Sequence, residues 1–402
     1  MMPSRNRVLV GGAATLASVA AVNGITKAMP VVRGVFLNGD RELYAFPQKH
    51  PLMVLNARPP LLETPFNVFD KGVLTQNEDF FVRWHLANIP TKIDTRTFRI
   101  SVAGAVDRRL SLSLEDLRHS FASFEINAVN QCSGNSRGFF APRVTGGEWQ
   151  NGAMGNARWK GVRLKDILAK ANLKPNAKQV QFNGLDAPVL PQTPDFKKSL
   201  DIDLANNGEV MVAYEMNGKP LPLLNGFPVR LVVPGWFSTY WVKMLSDIVV
   251  LETVDEQFWM KTAYRIPAVN NGNVKPEDKD YATVPINVMR VRSFATNVTN
   301  GETLKARSQP LRGIAFDGGS GIKKIEYSMD GGQTYRDALL EEDFGRYSFR
   351  RWNAMPDFES GKKYTIAVRA TGNDGATQPS EPIWNPGGYM RNSIETYEVG
   401  VA

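Results

Sequence analysis

The chain has 402 residues, 43% of them hydrophobic and 22% charged, with a formal net charge of +8. That is an ordinary globular composition, long enough for two domains and a sizeable core. The single cysteine, Cys132, excludes an intrachain disulfide framework, a CxxCH haem attachment and a CxxC zinc site, and no Lys/Arg block or nucleic-acid-binding motif accompanies the positive charge, so no nucleic-acid partner is expected.

In chain order, Arg5 and Arg7 precede the small and apolar run VLVGGAATLASVAAV at 8–22. A basic start, a short apolar middle and small residues after it form a bacterial export signal over 1–30. The run is short for a membrane span, and Ser4-Arg5-Asn6-Arg7 is a broken twin-arginine pattern. Residues 31–80, with Pro51, Pro59, Pro60 and Pro65 and little periodicity, read as an irregular, extended lead-in. Ser113 with Asp116 is a capping-box helix start. Phe124 to Val129 alternates like a strand with one buried face, and Leu164, Ile167, Leu168 and Ala171 fall at helical spacing, predicting a helix over 163–171. Strands are expected at 178–183, 209–215, 229–233 and 245–252, with a tight turn at Asn217-Gly218. The domain over 31–264 is therefore mixed α and β. The polar stretch 265–285, with Pro267, Pro276 and Pro285, reads as a linker. Beyond it the pattern is almost purely β: Tyr364, Ile366, Val368 and Ala370 share one strand face, and Asp330-Gly331-Gly332 marks a hairpin. Short, regularly spaced strands over 286–402 argue for an immunoglobulin-like sandwich, so the overall class is α+β.

The chemistry centres on NAVNQCSGNSRGFF, residues 127–140. Cys132 follows the strand end, flanked by Gln131, Ser133, Gly134, Asn135 and Ser136, with Arg137 five residues on. A thiol near a fixed cation is expected to be partly ionised. A lone cysteine is commonly a small core hydrophobe; a thiolate is a nucleophile or a soft metal ligand. The polar and glycine neighbours favour the last two readings, and His50, His85 and His119 are the only histidines that could serve a nucleophile as base.

The run NQCSGNSRGFFAPRVTGGEWQNGAMGNARWKGVRLKDIL (130–168) resembles the sulfite oxidase family of molybdopterin enzymes. The resemblance continues through AYEMNGKPLPLLNGFPVRLVVPG (213–235), Trp241 and Lys243 and ends in IWNPGGYMRN (383–392). It covers most of the chain in order, and is nearest to the bacterial periplasmic sulfite dehydrogenases. It implies a molybdopterin-binding domain followed by an immunoglobulin-like dimerisation-type domain, with one molybdenum held by a pterin dithiolene and by Cys132. It implies Arg83 and Arg137 as anion-binding residues, Trp149 as a pocket wall and Tyr264 as the active-site tyrosine. His85, Asp186, Asn225, Arg230, Ser238 and Lys243 are implied around the pterin, Asn225 standing where vertebrate members have histidine. Gly387 occupies the place of a vertebrate pocket arginine, and Arg391 is implied to supply that charge.

The activity so implied is oxidation of sulfite to sulfate by oxygen-atom transfer. The residues ahead of position 80 are too few for a fused b5-type haem domain and lack a suitable histidine pair, so no haem is expected in this chain. The electrons would go singly to an external c-type cytochrome, and the protein would be periplasmic, as a homodimer or in complex with a cytochrome subunit. The rival within the fold is a sulfane dehydrogenase subunit of a thiosulfate-oxidising complex; the rival of a different class is an exported, non-catalytic binding protein without molybdenum.

Overall fold

The computed structural model describes residues 33–36, 39–44 and 46–402, the first two stretches by backbone alone; the export signal expected over 1–30 lies outside them. The described chain is mostly β, with short α-helices at Leu114–His119, Leu164–Ala171, Ile202–Ala205 and Phe258–Lys261. The helical share is thus smaller than a mixed α and β reading implies.

The lead-in is not irregular. Arg33–Phe36, Gly39–Tyr44, Leu52–Ala57, Pro60–Glu63 and Val82–Arg83 form a five-stranded antiparallel meander. Its strands are too short for periodicity to show, and its prolines lie where a strand tolerates them. Pro60 is the first residue of its strand, where a missing N–H costs little. The last pairing matters most: Leu61 lies opposite Arg83 and Leu62 opposite Val82. The meander therefore fixes where Arg83 points.

Two further sheets make the body of the first domain. One runs, in order, Lys198–Asp201, Gln179–Gly184, Leu245–Leu251, Ile100–Gly104, Leu110–Leu112. The other runs Lys219–Pro220, Met211–Met216, Met154–Arg163, Ser123–Gln131, with Arg230–Val232 also paired to Met211–Met216. The helix Leu164–Ala171 buries Leu164, Ile167, Leu168 and Ala171, the four residues at helical spacing. The Ser113–Asp116 capping box is present, and Asn217 and Gly218 take the positive φ values that a two-residue hairpin turn requires.

Residues 265–285 are more than a linker, since Arg265–Pro267 and Thr283–Pro285 pair as a small hairpin. After it comes the sandwich. One sheet holds Arg292–Ala295, Leu311–Phe316, Arg350–Ala354 and Leu339–Leu340; the other holds Thr303–Leu304, Glu395–Val401, Lys363–Gly372, Ile322–Ser328 and Arg336–Asp337. Trp352, Ile325, Ile366, Val368 and Ala370 fill the space between them.

The two halves share a hydrophobic cluster that includes Phe69, Phe237, Phe294, Ile314, Phe316, Phe349 and Met390. A buried ion-pair network lies at the same junction. Arg292 Nη2 donates to Glu395 Oε1 at 2.8 Å and to Ser136 Oγ at 2.6 Å, and Arg391 pairs with the same Glu395 oxygen. Burial alone would raise the Glu395 carboxyl; Arg391 and Arg292 more than offset it and hold it below the usual range.

A carboxyl depressed in the folded state contributes stability above its unfolded pKa and loses it as pH falls through the folded value. Urea melts should therefore show stability falling as the pH drops below about 4.5. Glu395→Gln should remove that part of the acid dependence. It should also cost about 3–5 kcal/mol at pH 7, because Arg292 is left buried with no counter-charge.

Candidate active site

The strand Ser123–Gln131 carries the chain inward, its last four residues buried, and Cys132 follows. The Cys132 loop is then sewn to the segment 147–153. Cys132 N donates to Ala153 O at 2.9 Å, Ser136 N to Gln150 O at 2.6 Å and Gly138 N to Trp149 O at 2.8 Å. Asn135 closes the loop, its Oδ1 accepting from Ala153 N and its Nδ2 donating to Gln131 Oε1. A polar loop with Ser136 fully buried and Cys132 6% exposed needs these bonds to offset desolvation. They explain the crowd of Asn, Ser and Gly that a mere core cysteine would not require.

Cys132 lines a narrow cleft together with Phe81, Arg83, His85, Asn130, Phe196, Leu224, Asn225, Arg230, Ser238, Thr239, Trp241, Lys243 and Tyr264. Of the residues expected from sequence, the structure thus gathers Arg83, His85, Cys132, Asn225, Arg230, Ser238, Lys243 and Tyr264 around one space. Asp186 does not line the cleft; it is buried, and it and Lys243 feel each other's charge. Trp149 is fully buried one layer back, edge-on to the pocket residue Phe81 at 6.5 Å between ring centroids.

Two residues reach this region from the far side of Tyr264. Tyr389 lies with its ring centroid 5.5 Å from that of Tyr264, and the Arg137 guanidinium sits 4.9 Å over the Tyr389 ring. Arg137 Nε donates to Gly387 O at 3.1 Å, so the Cys132 loop and the C-terminal tail clasp each other here. Arg391 does not join the cup. Its guanidinium pairs with Glu395 and lies 5.3 Å over the Phe139 ring, because the buried Glu395 carboxylate is a better partner than an open pocket.

Tyr264 is held in the left-handed region at φ +57°. Its hydroxyl bonds His85 Nε2; His85 stacks on Phe196 at 3.5 Å, with Trp259 edge-on to both. Burial, then the charges of Arg83, Lys243 and Lys198, hold His85 well below its ordinary pKa, so the ring is neutral at pH 7. Burial chiefly pushes the Tyr264 phenol up, keeping it protonated.

Several contributors carry no sequence motif. Lys49, from the meander, donates to Asn77 O, Phe80 O and Asn225 Oδ1, while Asn225 Nδ2 donates to Phe81 O at 3.0 Å. The Asn225 amide is therefore engaged at both ends within the protein, and the residue acts as a brace of the pocket wall. Lys198 sits behind the cleft with its ammonium 5.6 Å from the Tyr264 ring.

Residues 85–259 match the model of the oxidoreductase molybdopterin binding domain, and residues 283–401 that of the Mo-co oxidoreductase dimerisation domain. The chain is 34% identical over 373 residues to mitochondrial sulfite oxidase of Homo sapiens, covering 89% of this chain and 67% of that protein. It belongs to the sulfite oxidase family of molybdenum enzymes. It is also 28% identical over 386 residues to the sulfite oxidase of Arabidopsis thaliana, covering 89% and 96% of the two chains. Its fold matches that of the sulfane dehydrogenase SoxCD from Paracoccus pantotrophus with a TM-score of 0.73 at 22% identity, over 96% of this chain and 93% of that one.

The family's molybdenum–molybdopterin cofactor fits the groups present. Among the described residues, nothing accepts a hydrogen bond from Arg83 Nη1, Asn130 Nδ2 or Arg230 Nε, although all three atoms are buried and their residues line the same cleft. Buried donors want acceptors, and a pterin with its phosphate is rich in them. The cations are also under-compensated. Burial lowers Arg230 to about 9, and burial with Arg230 lowers Lys243 to about 7; an anionic guest reverses both shifts. Cys132 supplies the soft sulfur donor that a redox-active metal favours.

Arg230 is 3% exposed, and its protein partners are the carbonyls of Asn225 and Trp241 and the faces of Trp159 and Trp241. Replacing it with methionine should leave the cofactor-free protein as stable as the parent to within about 1 kcal/mol, since an uncompensated buried charge is removed. The same variant should lose pterin retention. Thermal melts and pterin content after gel filtration check the two halves of this outcome.

Proposed function

We propose that this chain oxidises sulfite to sulfate. The observation that carries the reading is the convergence of Arg83, Lys243, His85 and Tyr264 on the cleft that contains the Cys132 thiol, with Arg137 on the outer side of Tyr264 through Tyr389. In the net reaction sulfite gains one oxygen derived from water and releases two protons and two electrons. Cys132, with the pterin, would hold the molybdenum, and Asp186, Asn225, Arg230, Ser238 and Lys243 would form the pterin's surroundings, Asn225 as a brace. The molybdenum centre, when bound, supplies oxygen-atom transfer and takes up the two electrons.

The protein's share is electrostatic and positional. Arg83 and Arg137 draw in a small oxyanion and offset its charge as it approaches an electron-rich centre. Their guanidinium forks suit oxyanion geometry better than lysine would. Tyr264 keeps its proton and offers it as a hydrogen bond, while neutral His85 fixes the phenol's direction. Trp149 backs Phe81 and keeps that wall from yielding.

Two electrons must then leave. We assign them to an external c-type cytochrome, one at a time, in the compartment reached by the export signal expected over 1–30. The domain over 283–401 is of the family's dimerisation type, which supports a homodimer or a complex with a cytochrome subunit.

The test uses protein made in a host that synthesises molybdopterin. It should contain molybdenum and reduce ferricytochrome c on addition of sulfite. Cys132→Ser should keep the fold by circular dichroism and lose turnover. Turnover of a sulfane-sulfur substrate with none of sulfite assigns the chain to sulfane oxidation instead; protein empty of molybdenum makes it a non-catalytic binder.

A further inference from the structure

The residue that the sandwich domain sets against Tyr264, at the edge of the cleft, is aromatic: Tyr389. Arg391 is committed to Glu395, and Gly387 has no side chain to offer. A Cβ placed on Gly387 would lie 2.3 Å from Tyr389 Cε2 and 2.4 Å from its Cδ2. The Tyr389 ring thus fills the space that any side chain at 387 would need.

That ring is firmly set. Asn385, 1% exposed, accepts from Tyr389 N at 3.0 Å and donates to Tyr389 O at 2.9 Å. Met390 N donates to Ser133 O at 2.8 Å, one residue past Cys132. Gly388 has φ +58°, and a Cβ there would strike Val144 Cγ2 at 2.5 Å and Arg137 Cγ at 2.7 Å, so only glycine lets the tail lie this close to Arg137. One face of Tyr389 carries the Arg137 guanidinium, and its ring is tilted 34° against Tyr264. Among the described residues, no group bonds its hydroxyl.

We propose that Tyr389 is a specificity-determining residue of the anion site, donating its phenolic hydrogen to an oxygen of the bound oxyanion where a side chain at 387 would otherwise stand. The inference rests on the oxyanion-oxidising reading above and adds a second phenol to its binding groups. A phenol, with an ordinary pKa near 10, donates a hydrogen bond at neutral pH without adding charge. Beside the charge of Arg137, the pocket therefore also selects by hydrogen-bond geometry at this corner.

Direct binding of inorganic sulfate to the molybdenum-loaded protein, followed by calorimetry, separates this inference from the catalytic one. Tyr389→Phe, which keeps the ring, should weaken sulfate about tenfold and raise the KM for sulfite similarly, with kcat within about twofold, as expected for one lost hydrogen bond to an anion. Gly387→Arg alone should weaken sulfate, because the new side chain collides with the ring. Gly387→Arg combined with Tyr389→Ala should recover affinity relative to Tyr389→Ala, since the arginine then has the vacated volume. If the parent binds sulfate but does not oxidise sulfite, the catalytic reading falls while the Tyr389 comparison still stands. Unchanged sulfate affinity and KM in Tyr389→Phe, or a parent protein that does not bind sulfate, overturns the proposal.

Discussion

Arg292 reaches out of the first strand of the sandwich into the other domain, and the shape of the site depends on that reach. Its guanidinium touches Glu395 in its own domain and Ser136 and Asn151 in the first domain. Ser136 is fully buried at φ +70°, a conformation that costs a non-glycine residue energy unless its surroundings insist on it. The insistence comes from Arg292 on one side and the Gln150 carbonyl on the other. Four residues before Ser136 stands Cys132, and one after it stands Arg137. A buried ion pair is weak evidence for stability but a good means of fixing one arrangement. Here it bonds the loop that carries both Cys132 and Arg137.

The cleft beside that loop is built at an electrostatic loss. Lys49, Lys198, Arg230 and Lys243 are each pushed down by desolvation, which means that the empty fold would be better off with fewer charges. Aromatic faces moderate the loss: Arg230 lies against Trp159 and Trp241, and Lys243 against Trp84. Such a pocket is complementary to a guest rather than to itself, and the guest must be anionic and rich in acceptors. The family's pterin, with its phosphate, meets both conditions.

Much of this could be read from the chain alone because local chemistry and tertiary position coincide in it. The Cys132 loop announced itself by polar residues where a core cysteine needs none. The capping box at Ser113, the turn at Asn217-Gly218 and the apolar face from Tyr364 to Ala370 are short-range signals, and the fold obeys them. The lead-in was opaque because four strands of four to six residues hold too few side chains to show a period. Lys49 and Arg292 were invisible for another reason: their partners lie 176 and 156 residues away at Asn225 and Ser136, and nothing local marks a lysine or arginine as buried. The resemblance implies a pocket role for Arg391, but a resemblance does not reveal the Glu395 carboxylate with which it pairs.

Consider finally the clasp between Arg137 and Gly387, and the bond from Met390 to Ser133. These contacts cross the seam between the two halves beside the Cys132 loop. Parting the seam would break both bonds and open the apolar cluster around Phe69, Phe237, Phe294 and Phe349 that the halves share. The setting of Cys132 and Arg137 is in that sense a property of the joined halves and of neither half alone.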